Sequence, residues 1–423
     1  EMFMFSKTTA IVASLLPLSV FASGSNLPEF ISADDLKNPV FECLNASDAT
    51  EAYTPAERKL IDQLWDETLT YLRAYAQAVT TDTTGRCRNS DTAVYETTDG
   101  IKSFCITDRR DVQLAVKHIH QILANPDKAK ACFSPRRSDK SLTMPSGELL
   151  KKSPVAQWLK RTTLHDFFSN EIKNKEVQKY GLKFAENFDQ MVLGEALHTP
   201  SQFGIDVTAN ALPNLWAAAG WLPMYAADSD RNRRNFMNVR GGYAYAEVMG
   251  HWGLLRIKSI NGVPVGAEIG MTVQQVGTLY PYHNHAISEM YYTLREPASI
   301  NQLKSFAVRD SNPRVKTVGE NKDYRKVEID TSVPDEKSMW ANTAWNFAPL
   351  VYFHENTIHA FQMDADGEKD PDSKAMVAVW ARGNADDTRN DYGNTRLCEN
   401  ADQPDTPALR GGKIRCELTH MKW

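Results

Sequence analysis

The sequence predicts an α+β protein in which a helical region precedes an antiparallel β-sandwich or barrel, and three observations carry that expectation. At 423 residues the chain exceeds one typical core and suggests about two domains. In the first half, apolar residues recur at three- and four-residue steps, the period of an amphipathic helix. After Arg233 the texture changes to short β-type runs broken by Gly, Pro, Asn and Asp. The expected division is an all-helical N-terminal domain over residues 27–215 and a β-rich domain over residues 216–423.

The elements follow in chain order. Lys7 precedes an uncharged, mostly apolar stretch from Thr8 to Ala22, which ends Val20-Phe21-Ala22 ahead of Ser23-Gly24-Ser25-Asn26. A short basic region, an apolar core and small residues at a cleavage point make residues 1–22 a secretory signal peptide. About 15 apolar residues fall short of the roughly 20 that span a bilayer. The expectation is an exported, periplasmic chain with no membrane span, starting near Ser23. Thr54-Pro55-Ala56-Glu57 reads as a helix start, with a capping threonine, a proline at the first helical position and an acidic residue in the first turn. Behind it Ile61, Leu64, Trp65, Leu69, Leu72 and Tyr75 form one helix face. Similar spacing occurs at Val112, Ala115, Ile119 and Ile122, and again from Val155 to Leu197. Strand-like runs then appear at Tyr243–Met249, Leu254–Ile260, Ala267–Val276, Glu289–Leu294, Tyr324–Ile329, Leu350–Phe353 and Ala375–Ala381. The polar stretch from Glu296 to Lys337 is expected to form a hairpin and a surface insertion.

Composition narrows the function. Charged residues make up 24% and the net charge is −5, with no long run of either sign. Neither a basic nucleic-acid footprint nor a polybasic membrane patch is present. The expected partner is therefore a small molecule. The six cysteines form no C-x-x-C pair, which speaks against a zinc knuckle or a thioredoxin-like motif. In an oxidising compartment they should form disulfides. Cys398 with Cys416 is the expected pair, because it would pin a polar tail.

One neighbourhood groups histidines with a carboxylate at ligand spacing: Tyr280-Pro281-Tyr282-His283-Asn284-His285-Ala286-Ile287-Ser288-Glu289-Met290-Tyr291-Tyr292. Side chains two apart on a strand share a face, so His283 and His285 can point the same way, as can Glu289 and Tyr291. Two imidazoles and a carboxylate suit a first-row divalent ion. Zn is the first expectation, with Fe or Mn as alternatives, because histidines plus one glutamate leave a position for water or substrate. A further ligand must come from elsewhere. His359, within Phe353-His354-Glu355-Asn356-Thr357-Ile358-His359, is the candidate, and His354 its rival.

Gly277 through Glu289 matches G-x5-H-x-H-x3-E and so resembles the first motif of the cupins. The motif's closing Gly is replaced by Glu296. The second cupin motif is matched loosely, with His359 in the metal-binding place and Asn356 where a turn Gly is usual. Asn also accepts a positive φ. Tyr291, two residues after the Glu, extends the likeness to the cupin dimethylsulfoniopropionate (DMSP) lyases. A long helical domain and an export signal resemble their periplasmic type, DddY. The resemblance implies a double-stranded β-helix, or jelly-roll, barrel over residues 216–423. It also implies metal-dependent β-elimination of DMSP to dimethyl sulfide and acrylate, with Tyr291 as base.

Elementary chemistry agrees. A free phenol, with a pKa of about 10, is a poor base at neutral pH, and a nearby divalent cation favours its phenolate. The sulfonium of the substrate needs a cation-friendly pocket, which aromatic faces supply. Tyr280 and Tyr282 are the expected substrate-binding residues, out of a wider set with Tyr292, Trp340, Trp345, Phe347, Tyr352 and Trp380. Two alternatives remain open: another metal cupin enzyme, an oxygenase or isomerase acting on a small acid or sugar, and a non-catalytic binding cupin. His118-x-His120 is expected to be a solvated helix face, since positions two apart on a helix point roughly 200° away from one another. His165, His198, His251 and His420 have no partner at useful spacing and are expected to be structural.

Overall fold

The computed structural model describes residues 27–44, 54–80, 93–98, 100–105, 108–133, scattered positions between 165 and 186, 222–223, 243–250, 253–275, 279–295, 303–308, 310–331, 350–363, 375–383, 395–402 and 412–420. The expected signal peptide lies outside them, as do Trp340, Trp345, Phe347 and Cys87, and most of Val155 to Leu197. Described positions of that last stretch, such as His165, Ser169 and Gln178, are helical.

The helices are α1 (Pro55–Thr80), α2 (Arg110–Ala124) and α3 (Pro126–Ala129). The strands begin with β1 (Phe41–Cys43), β2 (Ala93–Thr98), β3 (Gly100–Cys105), β4 (Leu222–Pro223), β5 (Tyr243–Met249) and β6 (Ile257–Ile260). They continue with β7 (Val263–Pro264), β8 (Glu268–Gln275), β9 (Leu279–Asn284), β10 (Glu289–Arg295), β11 (Leu303–Val308), β12 (Lys316–Glu320) and β13 (Tyr324–Asp330). The last are β14 (Leu350–Phe353), β15 (Ile358–Met363), β16 (Ala375–Arg382), β17 (Arg396–Leu397), β18 (Glu399–Asn400) and β19 (Lys413–Thr419).

An eight-stranded sheet, in the order β3-β2-β14-β10-β16-β8-β5-β4, faces a four-stranded sheet, β11-β15-β9-β17. Pairing is antiparallel throughout except between β14 and β2. The two-sheet arrangement supports the expected cupin fold. A second four-stranded sheet, β12-β13-β19-β18, backs the smaller one, and Val327, Ile329, Ile358, Ala360 and Ile414 pack together there. The predicted hairpin is therefore present as β12–β13.

Pro55 opens α1 as expected, and Leu64, Trp65, Leu69, Leu72 and Tyr75 are buried along one face. That face lies on the outside of the large sheet: the Tyr71 hydroxyl donates to Gly270 O at 2.7 Å, and the Tyr75 hydroxyl meets Met290 Sδ at 4.0 Å. α2 buries Val112, Ala115, Ile119 and Ile122 beside it.

Two expectations are corrected. The N-terminal region is not all-helical: β1 pairs with β6, and the β2–β3 hairpin joins the large sheet through β14. Nor is His118-x-His120 a solvated face. His118 is buried and His120 half-buried, because the segment before β1 lies over this side of α2. Gln121 Nε2 donates to Asp35 O at 2.9 Å, and Lys117 pairs with Asp35 at 2.6 Å. Disulfides join Cys43 to Cys132 and, as expected, Cys398 to Cys416. Among the described residues no helix is long and apolar enough to cross a membrane.

Candidate metal centre

β9 and β15 bring the first two histidines together. His283 and His359 are register partners, with ring centroids 4.0 Å apart. Two residues further along β15, Phe361 faces Tyr280, three residues from His283, so β9 carries one extra residue. Such a bulge flips the alternation of side chains. Pro281, which has no N–H to contribute to a ladder, sits within it. Tyr280 therefore turns to the face of His283, with centroids 4.1 Å apart, and stacks on Tyr243 at 4.5 Å. Tyr282 turns the other way and packs with Val308, Ile358 and Ala360 between the two smaller sheets. The two tyrosines expected to line one pocket are thus separated.

Glu289 enters from the opposite sheet as the first residue of β10, after a bend at Ala286 and Ile287. His285 precedes that bend, and its carbonyl accepts the Asn356 N–H at 2.9 Å. Asn356 has φ 58°, the left-handed turn conformation its position requires. His283, His285, Glu289 and His359 are each at most 3% exposed.

Every imidazole is gripped by main chain. Nδ1 lies 2.7 Å from Pro281 O in His283, 2.7 Å from Ile287 O in His285, and 2.9 Å from Thr357 O in His359. A carbonyl only accepts, so each Nδ1 carries the proton and each neutral ring turns a bare Nε2 inward. His285 Nε2 lies 2.8 Å and His359 Nε2 3.2 Å from Glu289 Oε2. With neutral rings no proton stands between those lone pairs. A shared cation resolves the conflict, and ligand atoms about 2.1 Å from one ion sit roughly 3.0–3.4 Å from each other at right to tetrahedral angles. Donor atoms of His283, Glu289 and His359 all lie within 4.8 Å of one another. His285 stands outside that group and meets it at Glu289, its ring centroid 6.4 Å from that of His283. The residues present fit a divalent metal.

Charge is arranged to suit one. Burial pushes the imidazole pKa of His283 well down and lowers that of His285, keeping both neutral. Burial would raise the Glu289 carboxyl, but its polar surroundings, with the permanently charged Arg382 guanidinium among them, hold the group below the usual carboxylate range. Arg382, the register partner of Glu289 on β16, donates from Nε to Glu289 Oε1 at 3.3 Å and pairs with Glu268 at 3.1 Å.

Tyr291 follows two residues after Glu289 on the same face, between the edges of Phe353 at 6.1 Å and Phe361 at 5.1 Å. Its hydroxyl lies close enough to the Glu289 carboxylate and to Tyr243 to interact with both. Burial and the Glu289 charge push this phenol well above its ordinary pKa.

Of the other candidates, His354 faces Glu355 at 3.9 Å, whereas His359 is the one grouped with His283 and Glu289. Tyr352 lies on the outer face of the large sheet, where its hydroxyl donates to Asp111 at 3.4 Å. Trp380 is inside but anchored, donating to Met271 O at 3.2 Å with the Arg382 guanidinium 5.5 Å over its ring. The side chain of Tyr292 lies outside the described set. Arg382 and Tyr243 were missed. Arg382 directly follows a predicted strand, and Tyr243 opens one, but cross-strand register, which sequence spacing does not carry, places them here.

No protein-family model matches the chain. Among curated proteins it is 52% identical over 399 residues to the dimethylsulfoniopropionate lyase DddY of Shewanella woodyi, covering 94% of this chain and 96% of that protein. Among solved structures, the DMSP lyase DddQ from Ruegeria pomeroyi is 14% identical with a TM-score of 0.27, over 48% of this chain and 70% of that one. A chain from crystal structures of the DMSP lyases RdDddP and RnDddQII is 11% identical with a TM-score of 0.26, over 46% and 72%. Structural likeness that distant decides nothing; the near full-length sequence relative does.

Proposed function

The chain belongs to the DddY family of dimethylsulfoniopropionate lyases, and from that premise we propose that His283, His285, Glu289 and His359 hold a divalent metal beside which Tyr291 starts the β-elimination. The observation that carries this reading is the set of three main-chain-held imidazoles around the buried Glu289 carboxylate, with the Tyr291 phenol two residues further along the same strand.

In the proposed reaction Tyr291 accepts the proton from the carbon beside the substrate carboxylate. The electron pair forms the carbon–carbon double bond, the carbon–sulfur bond breaks, and acrylate and dimethyl sulfide leave. A bound divalent ion supplies a Lewis acid for the carboxylate and for the charge that develops on it. Tyr291, held protonated by burial and the Glu289 charge, would shift toward phenolate with a cation held beside it. Zn is the preferred ion for histidines plus one glutamate. Tyr280 and Tyr243, stacked together beside His283, offer aromatic faces to the sulfonium. Glu289 meanwhile needs Arg382 to keep its orientation and charge.

The helical region acts as a cover for the large sheet, and residues 216–423 as the catalytic cupin barrel. Two disulfides and an N-terminal export signal in the sequence support a periplasmic location.

The decisive experiment is headspace detection of dimethyl sulfide from DMSP by purified protein before chelation, after chelation, and after reloading with Zn. Release that disappears and then returns is expected. Full release by protein that elemental analysis shows to be free of first-row metal would overturn the metal reading.

A further inference from the structure

The two turns that carry the candidate ligands are held from outside the barrel by the start of one helix. Ser288, the residue before Glu289, donates its hydroxyl to Asp111 Oδ2, and Asp111 lies in the first turn of α2. The same carboxylate oxygen accepts the Tyr352 hydroxyl at 3.4 Å. Arg109, which immediately precedes α2, pairs through Nε with Asp111 Oδ1 at 3.4 Å and through its other end with Glu355. Glu355 belongs to the turn between β14 and β15, where Asn356 N–H bonds to His285 O and Thr357 O grips the ring of His359. Asp111 thus reaches the 285–289 turn and Arg109 the 354–357 turn. The approach is close: a side chain at Gly383, whose N–H bonds to Ser288 O at 3.0 Å, would collide with both Asp111 Oδ2 and Ser288 Oγ.

We propose that Arg109 and Asp111 are positioning residues for the metal centre, fixing the spacing of the two ligand-bearing turns from the helical cover. The inference rests on the metal reading above. Neither residue touches the cluster itself, so their effect passes through Ser288 and Glu355. Polar partners that orient ligands change metal affinity by about 10- to 100-fold when removed, and an ordinary packing contact at the same interface does not.

The test measures Zn²⁺ affinity of the full chain by competition with a chromophoric chelator, together with kcat and KM for DMSP and the melting temperature of metal-free protein. Asp111→Ala and Arg109→Ala should each weaken Zn²⁺ binding about 10- to 100-fold and lower kcat more than they raise KM. Asp111→Asn, which keeps one acceptor for Ser288, should recover part of that loss. Ser288→Ala should show the same direction, and its effect should not add to that of Asp111→Ala, because both break one link. It also decides the matter if Asp111→Ala fails to fold. Ile119→Val, further along α2, should lower the melting temperature without changing Zn²⁺ affinity. Variants of Asp111, Arg109 and Ser288 that behave like Ile119→Val would overturn the proposal and leave the metal reading intact. Wild-type protein that binds no Zn²⁺ would overturn both.

Discussion

Replacing Tyr291 by Phe removes one oxygen from a ring already held edge-on by Phe353 and Phe361, so packing should change little. The variant is expected to keep its fold and its metal while kcat falls by about 10²- to 10⁴-fold, the usual worth of a placed base. Single-turnover kinetics beside elemental analysis checks both halves, and a near wild-type rate would remove Tyr291 as the base. Tyr280 and Tyr282 should part company in the same assay. Tyr280→Ala should raise KM for DMSP, whereas Tyr282→Phe should leave kcat/KM alone, because the bulge at Pro281 turns that ring into the packing behind the small sheet. If His283 and His285 hold a metal, protons compete with it for them. Burial lowers both folded-state values below 6.5, so as pH falls through that value the unfolded chain takes up protons first and metal-free protein loses stability. Urea midpoints of metal-free protein should therefore drop between about pH 6.5 and pH 5. A flat profile across that window would contradict the buried neutral rings.

The strands explain how much of this was readable. β5 and β14 match the predicted runs to the residue, and β8, β10, β13 and β16 match to within one or two residues at each end, because their β-branched and aromatic runs end at turn residues. The grouping of His283 with Glu289 was equally plain. β15 was not, since Ile358–Met363 carries histidine and glutamine among its apolar residues and follows a polar turn. The β2–β3 hairpin escaped although the sequence carries Asp99-Gly100, a hairpin signal, where β3 begins, because helical periods on both sides dominated the reading. Arg382 became visible only with the β10–β16 register, which is a long-range property. The turn before β15 gives an element-scale prediction. Asn356 holds φ 58°, so Asn356→Ala should cost about 1–2 kcal/mol more than Asn356→Gly in chemical denaturation. Equal costs would mean that backbone strain is absent there.

At the scale of the whole molecule, helices, the large sheet, the site and the small sheet follow one another as layers, and two disulfides among the described residues tie the outer parts. The Cys43–Cys132 bond spans 89 positions and the Cys398–Cys416 bond 18. Chain-entropy arguments assign them about 4–5 and about 3 kcal/mol respectively. Reductant should lower the unfolding midpoint accordingly, and native thiol titration should find no reactive cysteine among these four. Ligand linkage adds about 4 kcal/mol at a metal concentration a thousand times the dissociation constant, so Zn²⁺ should raise the urea midpoint unless the site takes no ion. Mutation will be felt unevenly over such a body. The oxygens of Pro281, Ile287 and Thr357 that aim the three imidazoles belong to the main chain. No single side-chain replacement can delete them. Ile287→Leu or Thr357→Ser should leave Zn²⁺ affinity where it was, whereas the histidines themselves tolerate nothing. The grip on the three rings is therefore insensitive to the side chains of Ile287 and Thr357 themselves, whereas Ser288 and Asn356 beside them, which hold the turns, are not free to vary.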